Sequence, residues 1–277
     1  TLLGTKQQTN YGYDAAGRLI SETRANGTAE ADTTLYEYDG AGNQTRIIEA
    51  AGTADERITR QVFDKANRKT EAIDALGNSI KTEYNQAGDI VKLTDANGDA
   101  GYFYTDKLGR VTMQINPEGA VTQYEYNAFG EQTKLSKLAT PYTGTINTTT
   151  PPSVTLSAAC DQVQEVSYNL LGQKTLIKTW CGVGANDYYS EVFSYDVFGN
   201  VKTATSRYSP GASPATTTYT YDKLNRKVSE TLPITPKQPN GTPPAVVNTF
   251  DYDAAGNLIK KIEAQGLVEQ RITLYTY

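Results

Sequence analysis

Along most of the chain apolar and polar residues alternate with period two, in short runs dominated by Thr, Tyr, Val and Ile, and each run stops at a cluster of Gly, Asn or Asp. No stretch between these stops keeps an apolar stripe at helical spacing, so the pattern predicts strands and turns with almost no helix. One unit sets the plan: Tyr11-Gly12-Tyr13-Asp14-Ala15-Ala16-Gly17-Arg18, which reads as strand, tight turn, strand. It returns as Tyr36-Glu37-Tyr38-Asp39 closing at Gly42, Val62-Phe63-Asp64 at Asn67, Glu83-Tyr84-Asn85 at Gly88, Phe103-Tyr104-Thr105-Asp106 at Gly109, and Tyr124-Glu125-Tyr126-Asn127 at Gly130. The second half continues with Ser167-Tyr168-Asn169 and Gly172, Phe193-Ser194-Tyr195-Asp196 and Gly199, Tyr219-Thr220-Tyr221-Asp222 and Asn225, and Phe250-Asp251-Tyr252-Asp253 and Gly256. Ten copies are complete, and Tyr275-Thr276-Tyr277 begins an eleventh.

The spacing has a backbone explanation. Asp or Asn at the first position of a type I turn accepts a hydrogen bond from the backbone two residues on, and three residues later Gly or Asn tolerates positive φ. A type I turn closed by one left-handed residue is a three-residue hairpin loop with a bulge. The two middle positions are then free, and Ala-Ala, Gly-Ala, Lys-Ala, Lys-Leu, Ala-Phe, Leu-Leu and Val-Phe all occur there. The departures from Gly, Asn67 and Asn225, are the next-best left-handed residue.

The motif Tyr-x-Tyr-Asp-x-x-Gly-Arg/Asn resembles the YD repeat of the Rhs family, which includes bacterial Rhs and wall-associated proteins, the C component of insecticidal Tc toxins, and teneurins. The resemblance runs over essentially the whole chain. It implies a long antiparallel β-sheet spiralling into a hollow shell, which in the bacterial toxins encloses a C-terminal toxic domain. It carries over no catalytic residue: the self-cleaving, shell-closing segment of that family has no match, and Asn116-Pro117-Glu118-Gly119 reads as another turn.

Second turns fall between the motifs, at Asn26-Gly27, Ala51-Gly52, Leu76-Gly77, Asn97-Gly98, Glu118-Gly119 and Gln265-Gly266, with Asn-Gly the strongest short hairpin signal among them. Each repeat thus supplies two strands and a turn at either edge, with Thr1 to Gln8 as the return strand of a preceding repeat. From Gly88 through Gly109 to Gly130 the period is 21 residues. About twenty strands at roughly 4.7–4.9 Å each give a sheet that, laid flat, extends on the order of 90–100 Å. Sheets of that size twist and curl. In the second half the second turns lengthen into Pro- and Thr-rich loops at 136–160, 206–217 and 232–248, with a shorter insertion from Cys181 to Asp187. Proline confines such segments to one margin of the ribbon, where they serve either as a binding face or as tolerated decoration.

Composition narrows the functional classes. Hydrophobic residues make up 38% of the 277, with 20 Tyr against one Met and one Trp, so tyrosine supplies most of the packing bulk. A net charge of -5 without a basic run argues against nucleic acid or an anionic membrane as partner, and no stretch is long and apolar enough to span a bilayer. The chain contains no His, which removes Ser-His-Asp and Cys-His catalysis, His metal ligands and His pH switches. The repeated Asp residues already serve turns, and Asn replaces them at 85, 127 and 169, where it keeps the turn hydrogen bond but cannot transfer a proton. The Gly-Gly-x-Gly-x-Asp pattern of calcium-binding nonapeptides and phosphate-binding Gly loops are both missing. Asn-x-Ser/Thr sites at Asn26, Asn43, Asn147 and Asn240 matter only in a glycosylating host. Cys160 and Cys181 lie nine residues before Asn169 and nine after Gly172, which leaves two readings, a cross-strand disulfide or two half-buried thiols.

The sequence therefore reads as an all-β array of tandem hairpins, 1–277 as a single YD-repeat array cut from a longer chain. No catalytic, cofactor or metal residues are assigned. The structural turn residues are Asp14/Gly17, Asp39/Gly42, Asp64/Asn67, Asn85/Gly88, Asp106/Gly109, Asn127/Gly130, Asn169/Gly172, Asp196/Gly199, Asp222/Asn225 and Asp253/Gly256. The expected role is a non-enzymatic segment of a secreted or surface-displayed shell around its own C-terminal effector. The alternative is an extracellular adhesion module for glycans or a cell-surface protein, and exposed terminal strands invite edge-to-edge association of such fragments.

Overall fold

The computed structural model describes residues 8–155, 161–180, 188–207, 213–233 and 245–277. Cys160 and Cys181 lie outside the described residues, as do Thr1 to Gln7 and parts of the long loops. No helix occurs among the described residues, which form twenty-one strands. Two compact units divide the chain.

The first unit takes Thr1–Gly119 and Tyr142–Ser153. It holds β1 (Asn10–Tyr13), β2 (Leu19–Arg24), β3 (Asp32–Tyr38), β4 (Gln44–Glu49), β5 (Arg57–Phe63), β6 (Lys69–Ile73), β7 (Ser79–Tyr84), β8 (Ile90–Thr94), β9 (Ala100–Thr105) and β10 (Val111–Ile115). Each strand pairs antiparallel with the next, a meander without crossovers. The second unit, Ala120–Pro141 and Val154–Tyr277, repeats the plan. Its strands are β11 (Val121–Tyr126), β12 (Gln132–Lys137), β13 (Gln162–Tyr168), β14 (Lys174–Trp180), β15 (Tyr188–Tyr195), β16 (Val201–Arg207), β17 (Ala215–Tyr221), β18 (Lys227–Thr231), β19 (Val247–Tyr252), β20 (Leu258–Glu263) and β21 (Arg271–Leu274), again paired in order.

The turn after each Tyr-x-Tyr segment is built in one way. Gly17 donates its N–H to Asp14 C=O, and Asp14 N–H donates to Arg18 C=O, both at 3.0 Å. Asp14 Oδ1 accepts the N–H groups of Ala16 and Arg18, each at 2.9 Å, and Oδ2 accepts Arg18 Nε at 2.7 Å. Two loop amides that no strand partner reaches are thereby satisfied by one carboxylate. Gly17 sits at φ 78°, and Asn67 and Asn225 hold the same place at φ 60°.

The residue after the left-handed position completes the clasp, and its identity follows the first residue. Where the first is Asp, the partner is a donor: Arg18, Arg68, Arg110 and Arg226, or the amides of Asn43, Asn200 and Asn257. Where the first is Asn, the partner is an acceptor. Asn85 Nδ2 donates to Asp89 Oδ2 at 2.9 Å, Asn127 Nδ2 to Glu131 Oε2 at 2.6 Å, and Asn169 Nδ2 to Gln173 Oε1 at 2.8 Å. In each of these the Asn Oδ1 still accepts the backbone N–H.

Beyond every clasp the hairpin slips by one residue. Tyr13 pairs with Leu19 but Gly12 with Ser21, leaving Ile20 as a bulge, and the same slip recurs in all ten Tyr-x-Tyr hairpins. At four of the bulges a Thr hydroxyl bonds the opposite strand: Thr45, Thr70, Thr112 and Thr175 donate to Glu37, Val62, Tyr104 and Ser167 C=O at 3.1–3.3 Å.

The second turns fall at the x-Gly pairs, but their loop lengths differ. Gly77 and Gly98 close three-residue loops anchored by Asp74 and Asp95, with the same backbone bonds as the first turns. Asn97-Gly98 is therefore the end of an Asp-anchored loop, because an Asp three residues before Gly outcompetes the dipeptide. At Asn26-Gly27, Ala51-Gly52 and Gln265-Gly266 the loops are longer, and the preceding Ala25, Ala50 and Ala264 take φ near 50°. Gly52 N–H donates to Glu56 Oε2 and Gly266 N–H to Gln270 Oε1, at 2.9 and 2.7 Å, which bridges each loop.

The clasp carboxyls carry a pH signature. The Arg18 N–H holds Asp14 below the ordinary carboxylate range, as the Asn43 side chain holds Asp39. Asp64, Asp106, Asp196, Asp222 and Asp253 shift the same way, each chiefly through bonds from its own clasp partner. A depressed folded-state pKa gives stability that is complete above the unfolded carboxyl value and lost as pH falls through the lower folded value. Thermal unfolding is expected to show a flat Tm down to about pH 4 and a steep fall below it; a Tm that holds or rises on acidification would remove the clasp carboxylates from the stability account. In a second test, Asn85→Asp sets a carboxylate against Asp89 and lowers Tm by about 2–4 °C, the size expected for one net hydrogen bond. Adding Asp89→Asn restores it, whereas additive losses would refute the reciprocal pairing. Gly109→Val forces a β-branched residue into positive φ, with Asp89 Oδ1 only 3.1 Å from the new Cβ, and costs about 1–2 kcal/mol by denaturant titration.

Candidate functional site

The second Tyr of the motif ties each hairpin to the one before it. The β2–β3 ladder ends at the pair Ser21–Leu35, and just past it the Tyr38 hydroxyl donates to Leu19 C=O at 2.8 Å. Tyr84, Tyr168, Tyr195, Tyr221 and Tyr252 repeat this rung on the carbonyls of Lys69, Gln132, Lys174, Val201 and Lys227, at 2.6–2.9 Å. Each acceptor lies just before a bulged residue, so the register slip supplies the carbonyl and the phenol completes the ladder. Burial raises the Tyr168 and Tyr221 phenol pKa values, keeping the donor proton in place. Phe63 and Thr105 stand where other repeats have Tyr, and Thr105 Oγ1 turns instead to Asp89 Oδ2 at 3.0 Å.

The clasp partner reinforces the rung. The guanidiniums of Arg18, Arg68 and Arg226 lie over the rings of Tyr38, Tyr84 and Tyr252 at 4.6–4.8 Å. Their Nη1 atoms reach the next turn, at Asp39, Asn85 and Asp253 C=O, at 3.0–3.3 Å. Asn43 and Asn200 make the equivalent step to Asn67 and Asn225 Oδ1, both at 2.9 Å. The turn residues singled out in the sequence thus form a lateral rail along one margin of each unit. The forward bonds escape sequence reasoning because they join residues 17–27 positions apart; the Arg/Asn after the turn was their only visible sign.

The first unit also has a roofed cleft. Tyr104 occupies the middle of its motif, where other copies place Glu37, Glu83, Glu125 or Asp251, and it faces Met113 across the ladder. Both are buried, at 4% and 5% exposure, beneath residues 142–153. The Tyr104 hydroxyl donates to Asn147 C=O at 2.6 Å, and Tyr142 N–H to Gly119 C=O at 2.8 Å. Asn147 Oδ1 in turn accepts the N–H groups of Thr149 and Thr150, fixing the bend of the roof. Tyr84, Gln86, Tyr104, Thr148 and Pro151 line a cleft of about 540 Å³ that carries no charged side chain. The sequence placed a loop here without seeing what it covers; an aromatic residue at a position that no other repeat fills with one was the available signal.

The repeated carboxyls are hydrogen-bonded and depressed in pKa, opposite to the raised value a general acid needs at neutral pH. No group of three or more metal-ligating side chains occurs among the described residues. Among the described residues there is no helix long and apolar enough to cross a membrane.

A family model, the RHS Repeat, matches residues 4–29 and 13–54. Among curated proteins none matches. Similar solved structures include the TcdB2-TccC3-Cdc42 crystal structure, 16% identical at TM-score 0.39 over 98% of this chain and 19% of that one. A Photorhabdus luminescens Tc holotoxin pore is 13% identical at TM-score 0.32 over 97% and 22%, and a porin-like protein from Bacteroides uniformis is 12% identical at TM-score 0.28 over 97% and 96%. The chain spans about a fifth of the TccC3-containing chain, and at these TM-scores the arrangement of strands here rests on its own hydrogen bonds. Over residues 4–54 the chain is similar to the RHS Repeat, and the same Asp/Asn clasp returns at each later hairpin through Asp253.

Proposed function

We propose that this chain is a non-catalytic wall segment of a secreted or surface RHS-type protein, whose β-shell encloses or presents an effector at the C-terminal end of the longer polypeptide. The observation that carries the reading is the rail: at five places a clasp bonds the turn that follows it, so the array propagates sideways without needing a thick hydrophobic core. Only seven hydrophobic residues are buried among those described, too few for a conventional enzyme core but enough for a wall one sheet thick. A wall faced with hydroxyls, amides and paired charges can hold a guest without trapping it by apolar adhesion.

A second reading, an adhesion module, draws on the uncharged cleft beneath residues 142–153. Its aromatic rings, hydroxyls and amide match the surface of a neutral saccharide. The two readings separate experimentally. In the full-length polypeptide, limited proteolysis is expected to spare the C-terminal effector, and Tyr195→Phe combined with Tyr221→Phe, which deletes two rungs, accelerates its degradation at least severalfold. An effector cleaved at the rate of the isolated domain, together with saturable binding of neutral oligosaccharides to this chain, would replace the shell reading by the adhesive one.

A further inference from the structure

On the sheet face that bears Glu37, the first unit sets its charges in cross-strand pairs. Glu37 opposes Arg46, with Oε1 and Nη1 2.9 Å apart; Glu83 opposes Lys92 at 2.9 Å; Glu71 opposes Lys81 at 3.8 Å. The second unit does the same with Glu125 and Lys134 at 3.4 Å and Asp251 and Lys260 at 3.8 Å. One position breaks the rule. Arg46 has Glu37 on one side, but its partner on the other, across the β4–β5 ladder, is Arg60.

Directly opposed residues have Cβ atoms about 4.5–5.5 Å apart, and like charges at that distance destabilise a sheet. Arg60 is solvent-exposed and, alone among the cations just named, has no carboxylate within ion-pair distance. Its other ladder partner is Ile73. Arg46 carries a second sign of incompleteness. Its Nε is buried and lacks a hydrogen-bond partner, although Nη1 is engaged with Glu37. A buried guanidinium N–H without an acceptor is a costly vacancy. The two guanidinium-bearing side chains rise from directly opposed positions, one without an ion-pair partner and one with an unused N–H, and a carboxylate or sulfate group drawn between them would offset the repulsion and, with a small shift of Arg46, supply the missing acceptor.

We propose that Arg46 and Arg60 form an oxyanion site on this face of the first unit, taking a carboxylate or sulfate carried by a ligand of the protein. The site lies apart from the neutral cleft and does not depend on the shell reading. Arginine side-chain NMR of the 277-residue chain, titrated with sodium sulfate against sodium chloride at matched ionic strength, tests it. The Arg46 Nε–Hε resonance is expected to shift saturably with sulfate, and sodium acetate to compete at the same resonance. Arg60→Gln weakens the apparent affinity by about tenfold, the effect of removing one charge-assisted partner, while Lys81→Gln, on the same face but ion-paired, leaves it unchanged. Arg60→Gln alone also raises Tm in low-salt chloride, a readout that needs no ligand. A response equal for sulfate and chloride, or one that persists undiminished in Arg60→Gln, would overturn the proposal. Capture of sulfate but not acetate assigns the site to sulfate esters; capture of both assigns it to oxyanions generally.

Discussion

Everything in this fold depends on how a three-residue turn disposes of its unpaired amides. The carboxylate or amide oxygen at the first turn position accepts two of them, and the remaining oxygen or nitrogen of the same side chain engages the residue that starts the next strand. Because the two members exchange donor and acceptor character together, Asp with Arg or Asn and Asn with Asp, Glu or Gln, the contact survives substitution between repeats. A turn satisfied in this way fixes the register of both flanking strands, and a one-residue slip in register would reverse every side chain between the faces.

From that local constraint the lateral organisation follows. The bulge after each clasp presents a carbonyl past the end of the backbone ladder, and the tyrosine of the following hairpin takes it. Guanidiniums over the rings and forward bonds between turns add to the same margin. Tyrosine is used because both halves of it matter, the ring for packing between strands and the hydroxyl for the rung. The result is a sheet whose cohesion is spread evenly over its repeats and whose buried apolar core is small.

Much of this was legible in the sequence. The Asp-x-x-Gly spacing specified the loop length, the positive-φ residue and the free middle positions, since each follows from backbone sterics within five residues. The resemblance carried by the same residues pointed to the family. What was not legible is non-local. The donor–acceptor exchange at Asn85/Asp89, Asn127/Glu131 and Asn169/Gln173 was present in the sequence but needed the clasp geometry to give it meaning. The second turns at Gly77 and Gly98 are visible as x-Gly pairs, but the Asp three residues upstream that anchors each loop is not. Tyr104 and its cover are joined by a contact across 43 residues, which no local pattern encodes.

Native-state hydrogen exchange on the amides that close the turns tests this account most directly, at Arg18, Asn43, Arg68, Arg110, Asn200 and Arg226. Each donates to the Asp four residues earlier. Protection matching that of the adjoining strand interiors is the expected result, with faster exchange at the first middle position of the same loops, such as Ala15, Lys65 and Lys107, since the carboxylate takes the N–H of the second. Exchange of the closing amides at the rate of an open loop, while the strands stay protected, would mean that the sheet holds its register without the clasp and would contradict the account at its foundation.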